Sequence, residues 1–174
     1  MEHIKSKIGT IPHFPKEGVM FRDITTLLKD PEGLRDVVKE FVERYKDKEI
    51  DIVVGVESRG FILGGIVAHE LGAGFVPVRK IGKLPGKTRK IEYELEYGKD
   101  ASEIHEDAIN NGQRVLIIDD LIATAGTCKA AVDLIKGLGG EIVECAFIVE
   151  LPDLKGREKI PDIPLFSLVC FEGD

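Results

Sequence analysis

An α/β fold, a twisted and mainly parallel sheet flanked by helices, is predicted by three features of this 174-residue chain. Short runs apolar on both faces, IVVGV (52–56), GFVPV (74–78), RVLIID (114–119) and EIVECAFIVEL (141–151), alternate with helical stretches, as strands covered on two sides do. Two of these runs end in turns just before a helix, in GVESRG and in DDLIATAGT. A further run, IEYELEY (91–97), alternates strictly, with Ile91, Tyr93, Leu95 and Tyr97 on one face and Glu92, Glu94 and Glu96 on the other; it reads as a half-exposed strand paired antiparallel.

Taken in order, Asp30-Pro31 opens the first long helix, with Asp as N-cap and Pro at the first helical position. Leu34, Val37, Val38, Phe41, Val42 and Tyr45 recur in it at helical spacing and form one apolar stripe. After the strand at 52–56, FILGGIVAHELG reads as a largely buried helix stopped by Gly72. The strand at 74–78 leads into RKIGKLPGKTRK (79–90), whose six Lys and Arg, two Gly and one Pro predict a mobile basic loop. The run at 114–119 passes through its turn into a helix with Ala131, Leu134, Ile135 and Leu138 on one face, ended by Gly139-Gly140. A strand at 141–151 follows, and LPDLKGREKIPDIPLFSLVCF carries three prolines and a late apolar strand. In FPKEGVMFRDI (14–24), Phe14 and Phe21 read as core on pattern alone.

A chain of this length fits one domain, able to bury roughly two thirds of the surface its unfolded form exposes. No stretch is long and apolar enough to span a bilayer, and MEHIKSKIGTIP is too polar for a signal peptide, so a cytoplasmic protein without a membrane partner is expected. Cys128, Cys145 and Cys170 are odd in number, widely spaced and without a CxxC pair; all three read as buried thiols. A net charge of −7 and a pI near 5.2 argue against nucleic acid as a partner. Binding of a small anion would have to come from a few aimed groups.

In open parallel sheets, ligands sit beyond the carboxyl ends of the strands where the topology reverses, so GVESRG and IIDDLIATAGT are able to face one cleft. Ala123, Ala125 and Gly126 keep the backbone approachable, and the Thr124 and Thr127 hydroxyls add donors, which suits a phosphate monoester at a helix N-terminus. Asp119 and Asp120, one step earlier, suit a ribose diol or a Mg²⁺ bridging diol and phosphate. The plain alternative is a strand-to-helix turn with an N-cap Asp. In GVESRG, Arg59 with Ser58 and Gly60 offers donors to an anion, or the turn only caps its helix. GKLPGKT imitates a P-loop, but three residues rather than four separate Gly82 and Gly86, and a strand pattern follows where a helix should start. The P-loop is therefore rejected. Arg79, Lys80, Lys83 and Lys87 remain available to close over a polyanion, or to stay solvated.

These stretches together resemble a known family. VLIIDDLIATAGT resembles the phosphoribosyl pyrophosphate signature of the type I phosphoribosyltransferases, and FPKEGVMFRDITTLLKDP, GVESRGF, VRKIGKLPGKT, YELEYGKD and VELPDLKGREKI are similar, in that order, to the adenine-specific members. The resemblance implies the type I phosphoribosyltransferase fold as one domain over 1–174, with a small N-terminal hood at about 1–30, a core at about 31–174 and a mobile flap within a basic flexible segment at 79–100. The implied reaction joins adenine and phosphoribosyl pyrophosphate into AMP and pyrophosphate, a step of purine salvage. Mg²⁺ is implied as the cofactor, carried by the donor near Asp119 and Asp120 without a direct protein metal site.

The resemblance also implies roles. Residues 123–127 (Ala123, Thr124, Ala125, Gly126, Thr127) would cradle the 5′-phosphate, with Asp119 and Asp120 at the ribose hydroxyls. Glu57, Ser58, Arg59 and Gly60 would form the pyrophosphate loop, where the family often holds a strained, sometimes cis, peptide before the Ser; Arg79, Lys80 and Lys83 would reach the same pyrophosphate. The main chain of Met20 and Arg22 would read the adenine edge while Phe21 and Leu151 pack on its two faces. Glu96, near N7 of the base, and Arg59, at the leaving group, would be the catalytic residues, with Tyr97 on the flap. A homodimer is implied, because in related enzymes the basic residue at position 79 can come from the partner subunit. The family's loop usually reads Ala-Thr-Gly-Gly-Thr, whereas this chain has Ala125 at the first Gly; a helical conformation there, in which Ala is harmless, is expected.

Two alternatives stay open: a transferase for guanine, hypoxanthine or xanthine, and a non-enzymatic regulator of the same fold that senses a purine or the donor. A receiver-type signalling domain does not fit, since its acidic pair should follow the first strand.

Overall fold

Runs buried on both faces form the central strands, and an apolar face sets each long helix against them. In the computed structural model, which describes residues 1–95 and 98–173, a short helix α1 (Glu2–Lys5) buries Ile4. Strands β1 (Gly9–Pro12) and β2 (Met20–Asp23) then pair antiparallel as a separate two-stranded sheet. Helices α2 (Thr25–Leu28) and α3 (Pro31–Tyr45) follow; the Asp30 side chain accepts the Glu32 N–H, and α3 buries Val37, Phe41 and Tyr45 along one stripe. Next come β3 (Ile52–Val56), α4 (Arg59–Leu71), β4 (Gly74–Lys80), the hairpin β5 (Thr88–Leu95) and β6 (Gly98–His105), and β7 (Arg114–Ile122). Helix α5 (Gly126–Gly137), β8 (Glu141–Glu150), two 3₁₀ turns (Pro152–Leu154 and Gly156–Lys159) and β9 (Leu165–Cys170) complete the order. Gly72 ends α4 in the left-handed conformation, φ 68°.

The main sheet has seven strands in the order β5-β6-β4-β3-β7-β8-β9. Strands β4, β3, β7, β8 and β9 are parallel, and the β5–β6 hairpin is added antiparallel at the β4 edge. Period-2 alternation explains why the strands read as apolar throughout. Val53, Leu116 and Ile118 face α3 and α4 with Phe41, Leu63 and Val67, whereas Val54, Val115 and Ile117 join Ala131, Leu134 and Ile135 of α5 in a second core. Each such fully buried aliphatic side chain contributes about 2 kcal/mol of apolar burial. The chain passes from β3 outward to β4 and later returns to the other side of β3 as β7, so the topology reverses between β3 and β7.

Four expectations change. Strand β7 continues three residues past Asp119, because β8 pairs with it as far as Ile122↔Glu150, and both Asp119 and Asp120 therefore lie in the strand. The basic segment is ordered at both ends: β4 reaches Lys80 by pairing with β6, and β5 begins at Thr88, leaving 81–87 as the loop. Phe14 is half exposed because it lies in the turn between β1 and β2, where it packs edge-on against Phe21 at 5.2 Å. Cys170 is exposed at the last position of the edge strand β9, while Cys128 and Cys145 are buried.

One buried ion cluster ties α3 to the sheet. Glu144 accepts two bonds from the Arg44 guanidinium (2.7 and 2.8 Å) and one from the Tyr45 hydroxyl (2.8 Å), with Lys48 Nζ at 3.6 Å. Burial pushes the Glu144 carboxyl up, but Arg44, Tyr45 and Lys48 outweigh it and hold it below its ordinary value. Stability from this group is therefore complete above the ordinary carboxylate range and is lost as pH falls through the lowered value. Glu144→Gln should cost about 2 kcal/mol at neutral pH in urea unfolding, with the gap to the parent closing below about pH 4; a gap independent of pH would remove Glu144 from the acid sensitivity.

Candidate active site

The β3/β7 reversal brings two turns together. The first, Glu57-Ser58, contains a cis peptide bond and leads straight into α4. Gly60, in the first turn of that helix, sits so close to β7 that an added Cβ would lie 2.7 Å from the Ile118 carbonyl oxygen and 3.0 Å from Asp119 Oδ1, an approach only glycine permits. The preceding residue crosses the gap: Arg59 Nε donates to Asp120 Oδ2 at 2.5 Å, and its guanidinium carbon lies 5.7 Å from the Phe21 ring centroid. Arg59, Asp120 and Phe21, from α4, β7 and β2, thus form one contiguous group. The Asp119 carboxyl accepts the Asp120 N–H (2.8 Å) and lines the cleft; burial, together with the adjacent charge of Asp120, pushes it well above its ordinary value.

Beyond β7 a cavity of about 120 Å³ is lined by Asp119, Leu121 and residues 122–128, with Phe147 at its base. Helix α5 starts at Gly126, and the N–H groups of its first turn lack helical acceptors, which leaves an anion-favouring helix start facing the cavity. The N-cap is Ala125, not an Asp, and its φ of 59° and ψ of 14° are left-handed. This overturns the helical conformation expected for Ala125, and the methyl group there costs about 1 kcal/mol. The chain needs the left-handed residue to turn from the strand direction of β7 into the axis of α5 within four residues. Behind the loop, a Cβ on Gly156 would stand 2.4 Å from the Ala123 carbonyl oxygen and 3.3 Å from the Ala125 methyl. Cys128, in the first turn of α5, is kept a neutral thiol by its hydrogen bond with Cys145 and by burial.

A second cavity, about 200 Å³, lies alongside and is lined by Glu57, Arg79, Lys80, Tyr93, Asp100, Ser102 and Thr127; Thr127 borders both cavities. Glu57 accepts the Lys80 N–H (2.9 Å) and two N–H groups of Arg79 (3.3 Å each). Burial raises its pKa, yet these donors leave it lowered on balance. Lys80 Nζ pairs with Asp100 at 3.1 Å, and Lys83 enters the group through its backbone, its carbonyl accepting from Arg79 Nη1 (3.2 Å).

The remaining expected residues lie around this cleft to different degrees. Met20 and Arg22 flank Phe21 on β2; Arg22 Nη1 donates to Thr10 Oγ1 (2.8 Å), and its guanidinium lies over Phe171 at 4.3 Å. Leu151 follows β8 directly, is nearly buried and donates its N–H to the carbonyl of Ile122 (3.0 Å), itself a lining residue of the first cavity. Glu96 and Tyr97 lie outside the described residues. Sequence reasoning missed Asp100, Glu103 and Gly156. The two acids show their partners only once the β5–β6 register is known, and Gly156 reads in DLKGREK as an ordinary turn residue.

The left-handed Ala125 is directly testable. In denaturant unfolding, Ala125→Gly should lie between neutral and about 1 kcal/mol more stable, since release of the strain offsets the lost methyl, whereas the β-branched Ala125→Val should lose about 2 kcal/mol. A glycine variant less stable than the valine variant would contradict the conformation.

Comparison with known proteins agrees with this geometry. The family model described as the phosphoribosyl transferase domain matches residues 23–172. The adenine phosphoribosyltransferase of Nitrosospira multiformis is 60% identical over 173 residues, spanning 98% of this chain and 99% of the relative. Among solved structures, the adenine phosphoribosyltransferase of Rhodothermus marinus is 51% identical with a TM-score of 0.92, covering 98% of this chain and 97% of its own. The Trypanosoma brucei enzyme, solved with AMP, pyrophosphate and ribose-5-phosphate, is 30% identical with a TM-score of 0.91, covering 97% of this chain and 78% of its own. Fold, cleft and similarity across almost the whole length lead to one assignment: the chain belongs to the adenine phosphoribosyltransferases, within the type I phosphoribosyltransferase family.

Proposed function

We infer that this chain transfers the 5-phosphoribosyl group from phosphoribosyl pyrophosphate to adenine, giving AMP and pyrophosphate as a step of purine salvage. The observation that carries the reading is the meeting of an anion-favouring helix start, an acidic pair and Arg59 at one topological reversal, in a chain 60% identical to a named adenine phosphoribosyltransferase. The ligands named for the Trypanosoma brucei structure, AMP, pyrophosphate and ribose-5-phosphate, are those expected to occupy such a cleft.

Residues 123–127 bind the 5′-phosphate through backbone N–H groups and the Thr124 and Thr127 hydroxyls. Asp119 and Asp120 face the ribose diol. Glu57, Ser58, Arg59 and Gly60, with Arg79, Lys80 and Lys83, surround the pyrophosphate. Met20, Phe21, Arg22 and Leu151 enclose the base, on which Glu96 and Tyr97 are assigned to act.

Mg²⁺ fits as an ion brought by the donor: the cleft wall offers the Asp119 carboxyl, while Asp120 is committed to Arg59. When bound, it supplies charge neutralisation to the pyrophosphate. As the bond from C1′ to pyrophosphate breaks, positive charge grows on the ribose and negative charge on the leaving group. Arg59 uses Nε for Asp120 and serves the pyrophosphate with its terminal nitrogens, and the acidic pair tolerates the cationic sugar. Adenine N9 attacks from the opposite face, with Glu96 managing the proton through N7.

The protein works as a homodimer, a reading supported by exposed Ile62, Phe75 and Ile81 on α4, on β4 and just after it, in the stretch that also carries Arg79. Its three free thiols suit the reducing cytoplasm.

Assay of adenine, guanine, hypoxanthine and xanthine with the donor and Mg²⁺ should give turnover with adenine; preference for another purine, or binding without turnover, would replace this reading with one of the two alternatives above. Glu96→Gln should lower turnover by about a hundredfold with little change in donor affinity, and near-normal turnover would remove it from the mechanism. Arg59→Ala should weaken both donor and pyrophosphate by about tenfold or more, the worth of a charge-assisted hydrogen bond, and unchanged affinity for both would refute its role.

A further inference from the structure

Glu103 lies on β6, opposite Arg79 of β4 and Lys90 of β5, with only 1% of its surface exposed. Its Oε1 accepts two successive backbone N–H groups, those of Lys83 (2.9 Å) and Leu84 (3.0 Å), and its Oε2 accepts the Thr88 hydroxyl (3.0 Å). Two consecutive N–H groups converging on one oxygen is how a backbone nest holds an anion, and here the anion comes from the protein itself. Burial raises the Glu103 carboxyl, but the Leu84, Thr88 and Lys83 donors bring it below its ordinary value, so it is held charged at neutral pH.

Beyond Glu103, the loop it binds, 81–87, is held at its far end by the Glu106 N–H on the Lys87 carbonyl (3.2 Å). Gly82 and Gly86 are both left-handed, φ 79° and 80°, and the bonds from Ile81 N–H to Ala101 (3.4 Å) and from Lys83 N–H to Lys80 (3.3 Å) are long. The Lys83 carbonyl in turn holds Arg79, which also bonds Glu57, so a single buried carboxylate lies under a relay that ends on the walls of the basic cavity. Asp100 and Ser102 line that cavity themselves; Glu103 lies behind it.

We propose that Glu103 is a positioning residue for the pyrophosphate half of the donor, fixing the 81–87 backbone so that Arg79, Lys80 and Lys83 present their charges to one anion. The proposal rests on the reading of this basic cavity as the pyrophosphate site. It predicts a defect confined to pyrophosphate-bearing ligands.

The experiment compares Glu103→Ala with Glu103→Gln, whose carbonyl can accept both N–H groups while its amide donates to Thr88 Oγ1. For Glu103→Ala, KM for phosphoribosyl pyrophosphate, and KM for pyrophosphate in the reverse direction, should rise by about tenfold or more, while kcat and KM for adenine stay within about threefold. Trypsin should cut faster after Lys83 and Lys87. Glu103→Gln should recover most of both effects. Unchanged KM for both pyrophosphate ligands, a uniform loss across kcat and all KM values, or a Gln variant as impaired as the Ala variant would each overturn the proposal. Should Glu103→Ala fail to fold, Thr88→Val, which removes one of the three bonds, should shift the same two KM values by about threefold, and no shift would count against it. Calorimetric titration with magnesium pyrophosphate, together with the trypsin cuts, reads the loop without any purine. A wild type inactive toward adenine would therefore fail the function while leaving this test intact.

Discussion

The space an ideal Cβ on residue 60 would fill is taken by the carbonyl oxygen of Ile118, 2.7 Å away. Because β3 and β7 are neighbours, this contact draws the start of α4 over the end of β7, and everything at the carboxyl edge of the sheet follows from it. Arg59 reaches Asp120 because α4 begins there, and Phe21 of the small sheet is reached from the same guanidinium. A larger residue at 60 would lift α4 off β7 and separate the two turns by the thickness of a side chain. The cleft is a property of packing first and of chemistry second.

The loop after β7 is held from the opposite side. Gly156 lies against the Ala123 carbonyl, and the strap that carries it is fastened by Glu150, which accepts two bonds from Arg157 (2.6 and 2.7 Å) and one from Ser167 (2.6 Å). Arg157 also donates to the Leu165 carbonyl, linking the strap to β9. Glu150 is nearly buried and fully hydrogen-bonded, the condition under which a buried carboxylate steadies a structure instead of straining it. Such backing explains how Ala125 is kept left-handed without an N-capping side chain: the surrounding contacts leave the loop no room to relax.

Much of this was legible in the amino-acid order. The stripe of α3, its Asp-Pro start, the Gly72 stop and the strands apolar on both faces each follow from a local rule that tertiary contacts did not override. The two turns were found because small residues and donors after a strand are chemically specific. What escaped was set by pairing between distant segments. Asp119 and Asp120 read as strand-terminal because the reach of β8 beyond them is invisible from β7 alone; Ala125 read as helical because propensity says nothing of a direction change; Phe14 read as core because hydrophobicity does not say whether a residue lies in a strand or in the turn beyond it. Glu103 and Asp100 drew no reading from the sequence because only the hairpin turns them toward the basic loop.

Three cations of the cleft already have an internal anion: Arg59 has Asp120, Arg79 has Glu57 and Lys80 has Asp100. The site therefore carries its own counter-ions. A polyanion settling there competes with carboxylates fixed in place, so capture is an exchange of partners between neighbours. On a chain of net charge −7 this favours short-range recognition over long-range attraction. Anions too small or too weakly charged to replace several carboxylates at once are disfavoured by the same pairs that keep the cleft in shape.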